Sequence, residues 1–398
     1  MLSMNPIDPH TVGRRLTEAR KARRLTQEEV CAHLGCSRPT LIAIEKGERP
    51  AKPLELVTLA SLYGRSMHEL VRPGELVSDF QPHLRAVAER MKTGSKDLDE
   101  AIAEFRRFVE DYCELERIME APLRHNYPPE VELSGRVDAW GLAEDVATME
   151  RNRLGLGDQP IINLRSVLEW DVGVRIFFQP LPSAVAGMFA FDSEAGCSIV
   201  INIKHPPERR RASTSHEFGH LSVDRYKPAI DYVSTRGRKP ANERFAEAFG
   251  MAFLMPATGV RRRFHEITRT TGDFRVADLC RLANSYFVSV EAMTLRLEEL
   301  GLIRKGSRTH LKESEFKARK AAQLLELPSH PASDEPYPER YKLLAVQAHE
   351  LGKISEGELA RFLRCDRVSA REIVAQCLTN PEGEQRSLPR NFQQSLLA

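Results

Sequence analysis

The sequence predicts an α+β protein, mostly α: an all-helical N-terminal domain, a linker helix, an α+β domain with a small sheet, and a helical C-terminal region. Three observations carry this expectation. Between residues 9 and 72, short helical stretches are separated by capping residues and glycines. Between 174 and 203, three short runs rich in β-branched and aromatic residues follow one another. Shortly after them comes His216-Glu217-Phe218-Gly219-His220, a spacing that puts two imidazoles on one face of a helix.

In the N-terminal stretch, Val12, Leu16 and Ala19 give the first helix an apolar stripe. Thr26-Gln27-Glu28-Glu29 is a capping box that opens the second helix, and Gly35 supplies the left-handed residue that ends it. Ser37 caps a third helix from Arg38 to Lys46, which Gly47 ends; Pro53 starts a fourth and Ser66 caps a fifth. A helix, a short turn containing Gly and a second helix make a helix-turn-helix. The residues Leu25 to Val30, Ser37 to Ile42 and Ile44 to Pro50 resemble the Cro/C1-type (XRE) DNA-binding domain, a lambda-repressor-like five-helix fold. That resemblance implies a homodimer on a double-stranded DNA operator, with the second motif helix entering the major groove by its N-terminal end. Carried over, the DNA-binding residues are Gln27, Ser37, Arg38, Pro39, Thr40 and Ala43. Arg38 is suited to a bidentate guanine contact, and Gln27 to a phosphate. Arg20, Lys21, Arg23 and Arg24 form a basic stretch that reads equally as DNA contact or solvated helix end.

Residues 77–130 read as a charged linker helix with one stripe, Ile102, Phe105, Phe108, Val109 and Tyr112. Such a stripe must be buried, either in a dimer or on the chain's own next domain. Asn126-Tyr127-Pro128-Pro129 reads as an exposed joint, open to self-cleavage. The α+β domain spans 138–305: helices at Asp138–Leu154 and Leu164–Trp170, strands at Val174–Phe178, Val185–Phe191 and Ser198–Ile203, and a turn at Asp192–Gly196. The Cys197–Lys204 run is expected to be the edge strand that holds an extended peptide. A helix at Thr258–Ile267 and a structural pair at Val276–Tyr286 and Ser289–Leu300 complete the domain. Residues 306–336 read as a linker carrying a helix from Lys312 to Leu325. Residues 337–380 read as a small helical region, followed by a poorly ordered tail.

Two histidines on one helix need a third protein ligand, and an open fourth position if the metal is to be catalytic. Glu243 and Glu247, again four residues apart, are both candidates to face the first helix. Glu217 is placed to take a proton from a metal-activated water. The pieces Arg210-Arg211 through His220, Glu243 to Phe249, and Leu254-Met255-Pro256 resemble the ImmA/IrrE-type metallopeptidases, zincin-like proteins of the gluzincin kind. The resemblance implies Zn2+ on His216, His220 and Glu243, Glu217 as general base, and Glu247 as an acceptor orienting a ligand histidine. Two departures stand out: Glu247 falls where that family has Asn or Asp, and Ala212-Ser213-Thr214-Ser215 replaces apolar residues.

A net charge of +2 leaves no global polyelectrolyte argument for nucleic acid, so any such argument is local. No apolar run is long enough to span a membrane, and Met1 to Pro6 has no secretory character. The 7 cysteines include no C-x-x-C pair, which suits free thiols in a reducing cytoplasm. The expected function is a DNA-binding transcriptional regulator with a zinc endopeptidase module that cleaves a partner repressor or itself, in a stress or mobile-element response. The alternative is a repressor, antitoxin-like in kind, whose zincin domain is an inactive sensor.

Overall fold

The computed structural model describes residues 8–23, 25–65, 67–71, 84, 96–133, 138–192, 195–227, 229–232, 240–314, 316–329 and 335–379. Outside them lie Met1 to Pro6, Arg24, the Ser66 cap, most of the 77–95 part of the linker helix, Ser193 and Glu194 of the expected turn, Pro331 and the tail from Asn380. The chain falls into two compact units, Met1–Leu76 and Val77–Ala398. No helix among the described residues is long and apolar enough to cross a membrane.

The first unit holds α1 (Pro9–Ala22), α2 (Gln27–Leu34), α3 (Arg38–Glu45), α4 (Pro53–Tyr63) and α5 (Met67–Val71). The capping box forms as expected, with the Thr26 hydroxyl accepting from the Glu29 backbone and the Glu29 carboxylate accepting from the Thr26 backbone. Gly35 takes the left-handed conformation at φ 64°. Ser37 occupies the N-cap position of α3, but its hydroxyl bonds Thr40 Oγ1 at 2.8 Å rather than a backbone N–H. Leu16, Val30, Leu41, Ile44, Leu59 and Tyr63 close the core. A Cβ on Gly13 would meet the Ile44 carbonyl oxygen at 2.5 Å, so only glycine lets α1 lie this close to α3.

The second unit is organised on four strands, β1 (Arg175–Gln179), β2 (Val185–Asp192), β3 (Gly196–Asn202) and β4 (Ala229–Tyr232), in the order β1-β3-β2-β4. β1 runs parallel to β3; β2 runs antiparallel to β3 and to β4. The expectation that the Cys197–Lys204 run is an edge is therefore overturned. β3 is central and every residue of it is buried. A strand covered on both faces is apolar on both, which its Cys197-Ser198-Ile199-Val200-Ile201 run shows. The edge on that side is β4.

Alternate strand residues feed two separate cores. Ile176, Phe189, Ile199 and Ile201 pack with α7 (Ala139–Arg153), α9 (Pro207–Val223) and α10 (Ala241–Leu254). Phe177, Met188 and Val200 pack against α6 (Lys96–Met119). The α6 stripe is thus buried within its own unit, the second of the two destinations open to it. Phe177 lies 5.1 Å from the Phe108 ring. The C-terminal helices α16 (Glu339–Glu350), α17 (Glu356–Phe362) and α18 (Arg367–Thr379) share this second core. α8 (Leu164–Val167) precedes β1; α11 (Ala257–Thr271), α12 (Val276–Ser285) and α13 (Val290–Glu299) follow α10. The pair α12 and α13 buries Leu279, Leu282, Met293 and Leu297 in the first core, as expected of a structural pair. The single helix expected from Lys312 to Leu325 is instead two short ones, α14 (Ser307–Glu313) and α15 (Ala318–Leu324), neither with a buried residue. Without an apolar face to bury, nothing holds the two turns in one rod.

The expected joint at 126–129 is also held. Pro128 is buried and its carbonyl accepts from Arg225. Asn126 accepts from Arg153, and the Tyr127 hydroxyl accepts from the Cys197 backbone at 2.8 Å.

Candidate metal centre

Helix α9 carries His216, Glu217 and His220, and the first turn of α10 carries Glu243. Small residues let these helices approach. A Cβ on Gly219 would lie 3.0 Å from Ala246 Cα, and one on Gly250 3.1 Å from the His216 backbone nitrogen. The polar stretch before the motif does not loosen the packing. Thr214 donates to the Arg210 carbonyl at 2.8 Å, and Ser215 donates across to the Gly250 carbonyl of α10 at 3.2 Å. Arg211 ties the start of α9 to the carbonyls of Ile161 and Ile162, and Arg210 lies over the Phe178 ring.

The two Nε2 atoms of His216 and His220 are 3.2 Å apart. Glu243 Oε2 is 3.5 Å from the first and Glu243 Oε1 is 3.6 Å from the second. A tetrahedral zinc with bonds of about 2.0–2.1 Å has donor–donor edges of about 3.3 Å. Two imidazole nitrogens and a carboxylate that turns one oxygen to each of them are the donor set that ion takes, with ligand atoms of the three residues all within 4.8 Å of one another. The residues present fit a zinc ion, and Glu243 is the downstream carboxylate brought to the triangle.

Glu217 is wholly buried, and among the described residues neither carboxylate oxygen has a hydrogen-bond partner. Burial, then the nearby Asp231 and Glu243 carboxylates, push its carboxyl well above the usual range. Room for it comes from Gly187 on β2, where a Cβ would stand 2.8 Å from Glu217 Oε1. Asp231 of β4 pairs with Gly187 across the strands, so it shares the sheet face that looks at Glu217. A cleft of about 1330 Å³ opens beside His216, its walls including Asp231, Glu247, Met251, Met255 and Leu295. Glu247 lies in this wall one turn beyond Glu243.

Sequence reasoning missed three residues here. Asp224, four residues after His220, sits 3.9 Å from its Nδ1, a spacing legible in principle. Asp231 and Gly187 could be found only from the strand register. A tetrahedral oxyanion would need a further donor, and His205, Tyr226, Tyr232 and Arg262 are candidates by residue type; Arg262 pairs with Asp158 at 2.6 Å and Tyr226 is exposed against the edge of Phe191. His205 follows β3 with its Nδ1 buried and unbonded, and burial lowers its pKa. The side chain of Tyr232 lies outside the described residues.

In the first unit, Ser37, Arg38 and Pro39 are exposed on α3 and Thr40 and Ala43 are half-buried, while Leu41 and Ile44 face the core. Gln27 is engaged internally, donating to Glu45 at 2.9 Å and accepting from Arg38 at 3.3 Å. Arg20 donates to Glu45 at 2.6 Å, and Arg23 to the Tyr63 carbonyl at 2.8 Å. Two members of the basic stretch are therefore internal ties, whereas Lys21 is exposed.

These features define two classes of module, a helix-turn-helix DNA-binding head and a unit with a zincin-type triangle. Comparison with family models agrees. Residues 11–72 match a helix-turn-helix domain, and residues 170–298 match the IrrE N-terminal-like domain of the M78 peptidases. The chain is a helix-turn-helix domain fused to an ImmA/IrrE-type domain. No curated protein matches it. Among solved structures, ComR from Streptococcus suis aligns at 12% identity over 95% of this chain and 93% of that chain, with a TM-score of 0.16. ComR from S. thermophilus, in complex with DNA and its signalling peptide ComS, aligns at 12% identity over 90% and 99%, with a TM-score of 0.17. Neither superposition is close enough to carry structure or function across.

Proposed function

We propose that the protein is a sequence-specific DNA-binding transcriptional regulator whose second unit is a zinc-dependent endopeptidase acting on a protein. The observation that carries this reading is the triangle of His216, His220 and Glu243 with the unpartnered Glu217 beside it and a cleft at its mouth. Zinc held there would supply Lewis acidity to a substrate carbonyl and to water. The chain's own residues do the rest. With a cation's charge beside it favouring the ionised carboxyl, Glu217 can accept a proton at a carboxylate oxygen and return it to a leaving amine, since no hydrogen bond from the described residues occupies either oxygen. The cleft is roomy enough for an extended segment, and β4 offers the strand edge on that side of the sheet. Because the 126–129 segment is pinned, a partner repressor is a better substrate than this chain's own joint. Arg38, Thr40 and Ala43 would meet the major groove of an operator bound by a homodimer.

Elemental analysis tests the reading first. About one zinc per chain, lost in His216→Ala, is expected; wild-type protein that takes up no zinc on reconstitution overturns it. Co-incubation with XRE-type repressors then separates an enzyme from an inactive sensor, since only wild type, not Glu217→Gln, should cut.

A further inference from the structure

Resting on that metal-centre reading, we propose that Asp224 is the positioning carboxylate for His220 and fixes it relative to Glu243. The tautomer sets the requirement. His220 turns Nε2 toward His216 and Glu243, at 3.2 and 3.6 Å, so Nε2 must present its lone pair and Nδ1 must carry the ring proton. That Nδ1 is buried, with no partner at bonding distance. A buried N–H without an acceptor is destabilising, because it has given up water and gained no partner. Asp224 Oδ2, at 3.9 Å, needs an approach of only about 1 Å to accept it.

Asp224 is itself locked in place. It ends α9, with its backbone N–H donating to the His220 carbonyl at 2.8 Å. Its Oδ1 accepts from Lys227 at 3.1 Å, and its Oδ2 accepts from the side-chain amide of Asn242. Asn242 directly precedes Glu243 in the first turn of α10. One carboxylate, only 8% exposed, thus spans the end of the helix that carries both histidines and the start of the helix that carries the third ligand. Glu247 lines the cleft with His216, whereas Asp224 is not among the lining residues.

The test is zinc affinity of the full-length protein, by competition with a chromogenic chelator, with a thermal melt of each metal-free protein alongside. Asp224→Ala should bind zinc 10–100-fold more weakly. Asp224→Asn, which keeps an acceptor oxygen and the shape, should recover part of the loss and carries the test if the alanine variant does not fold. Lys227→Ala removes only the outer contact and should stay within about twofold. Cobalt(II) loaded in place of zinc should show a changed visible spectrum in Asp224→Asn, which a merely structural role would not produce. Wild type that binds zinc, with both Asp224 variants within about twofold of it, overturns this inference alone. A wild type that binds no zinc overturns the metal centre, and the inference with it.

Discussion

On the α6 face of the sheet, Glu116 is buried and accepts from both Arg175 and Arg340 at 2.7 Å, while Glu169 accepts from the Tyr112 hydroxyl at 2.7 Å. On the α9 face, Glu217 is buried as deeply and accepts from nothing among the described residues. The same sheet separates the two. Buried charge with matched partners holds α6, β1 and α16 together, and its loss should appear in stability. A buried carboxyl without partners persists where a ligand or a proton is to be handled, and its loss should appear in function.

The largest expected effect follows from the unpartnered side. Glu217→Gln puts a neutral amide of the same shape in the same hole. Turnover of a cleaved partner should fall by roughly 10²–10⁴-fold while zinc content stays at the wild-type level. Metal-free stability should hold or rise. A stability loss as large as that from breaking a buried pair would erase the contrast between the faces. The opposite experiment is Glu116→Ala, which strands Arg175 and Arg340 without their shared carboxylate. Removing one partner of a buried pair costs about 3–5 kcal/mol. Urea unfolding should show that loss, with zinc affinity of the folded protein unchanged.

The paired face also has a pH signature. Burial lifts the Glu169 carboxyl to about 7, although the Tyr112 hydroxyl and Arg165 pull the other way. A folded-state value above the unfolded one means that the native protein holds the extra proton. Stability from this group is present below the unfolded value of about 4.5 and declines as pH rises toward 7, by up to about 3 kcal/mol. Glu169→Gln should flatten unfolding free energy between pH 5 and 7. An unchanged slope would show that the group titrates normally.

What the sequence disclosed follows from how local each signal is. The capping box at Thr26 and Glu29, the turn at Gly35 and the pairing of His216 with His220 each depend on residues within one or two helical turns. Each is found where the spacing puts it. A second helical spacing brought both Glu243 and Glu247 forward, and the resemblance to the metallopeptidases chose Glu243 between them. The position of β3 in the sheet was not, because a run buried on both faces reads alike at an edge or a centre until its neighbours are known. β4 is four residues long, too short to announce itself. The destination of the α6 stripe depended on Phe177 and Tyr341, far off in sequence. The role of Asp231 depends on its register with Gly187.

The smallest expected effect carries the paired-versus-unpaired contrast into the first unit. Gln27 and Arg20 are tied to Glu45, whereas among the described residues Arg38 has a 3.3 Å bond to Gln27 and a 3.7 Å approach to Glu28, both near solvent. A side chain so weakly held can leave its contacts for a base edge with little loss. Arg38→Ala should therefore cost about 1–3 kcal/mol on the preferred operator and little on unrelated DNA. Lys21, exposed on α1, should behave differently: Lys21→Ala should weaken all sequences alike and lower the salt slope by about one. Binding isotherms on operator and scrambled duplexes at two salt concentrations distinguish the two. Equal losses on both duplexes for Arg38→Ala would place it among the phosphate contacts and leave sequence reading to Thr40, Ala43 and their neighbours on α3.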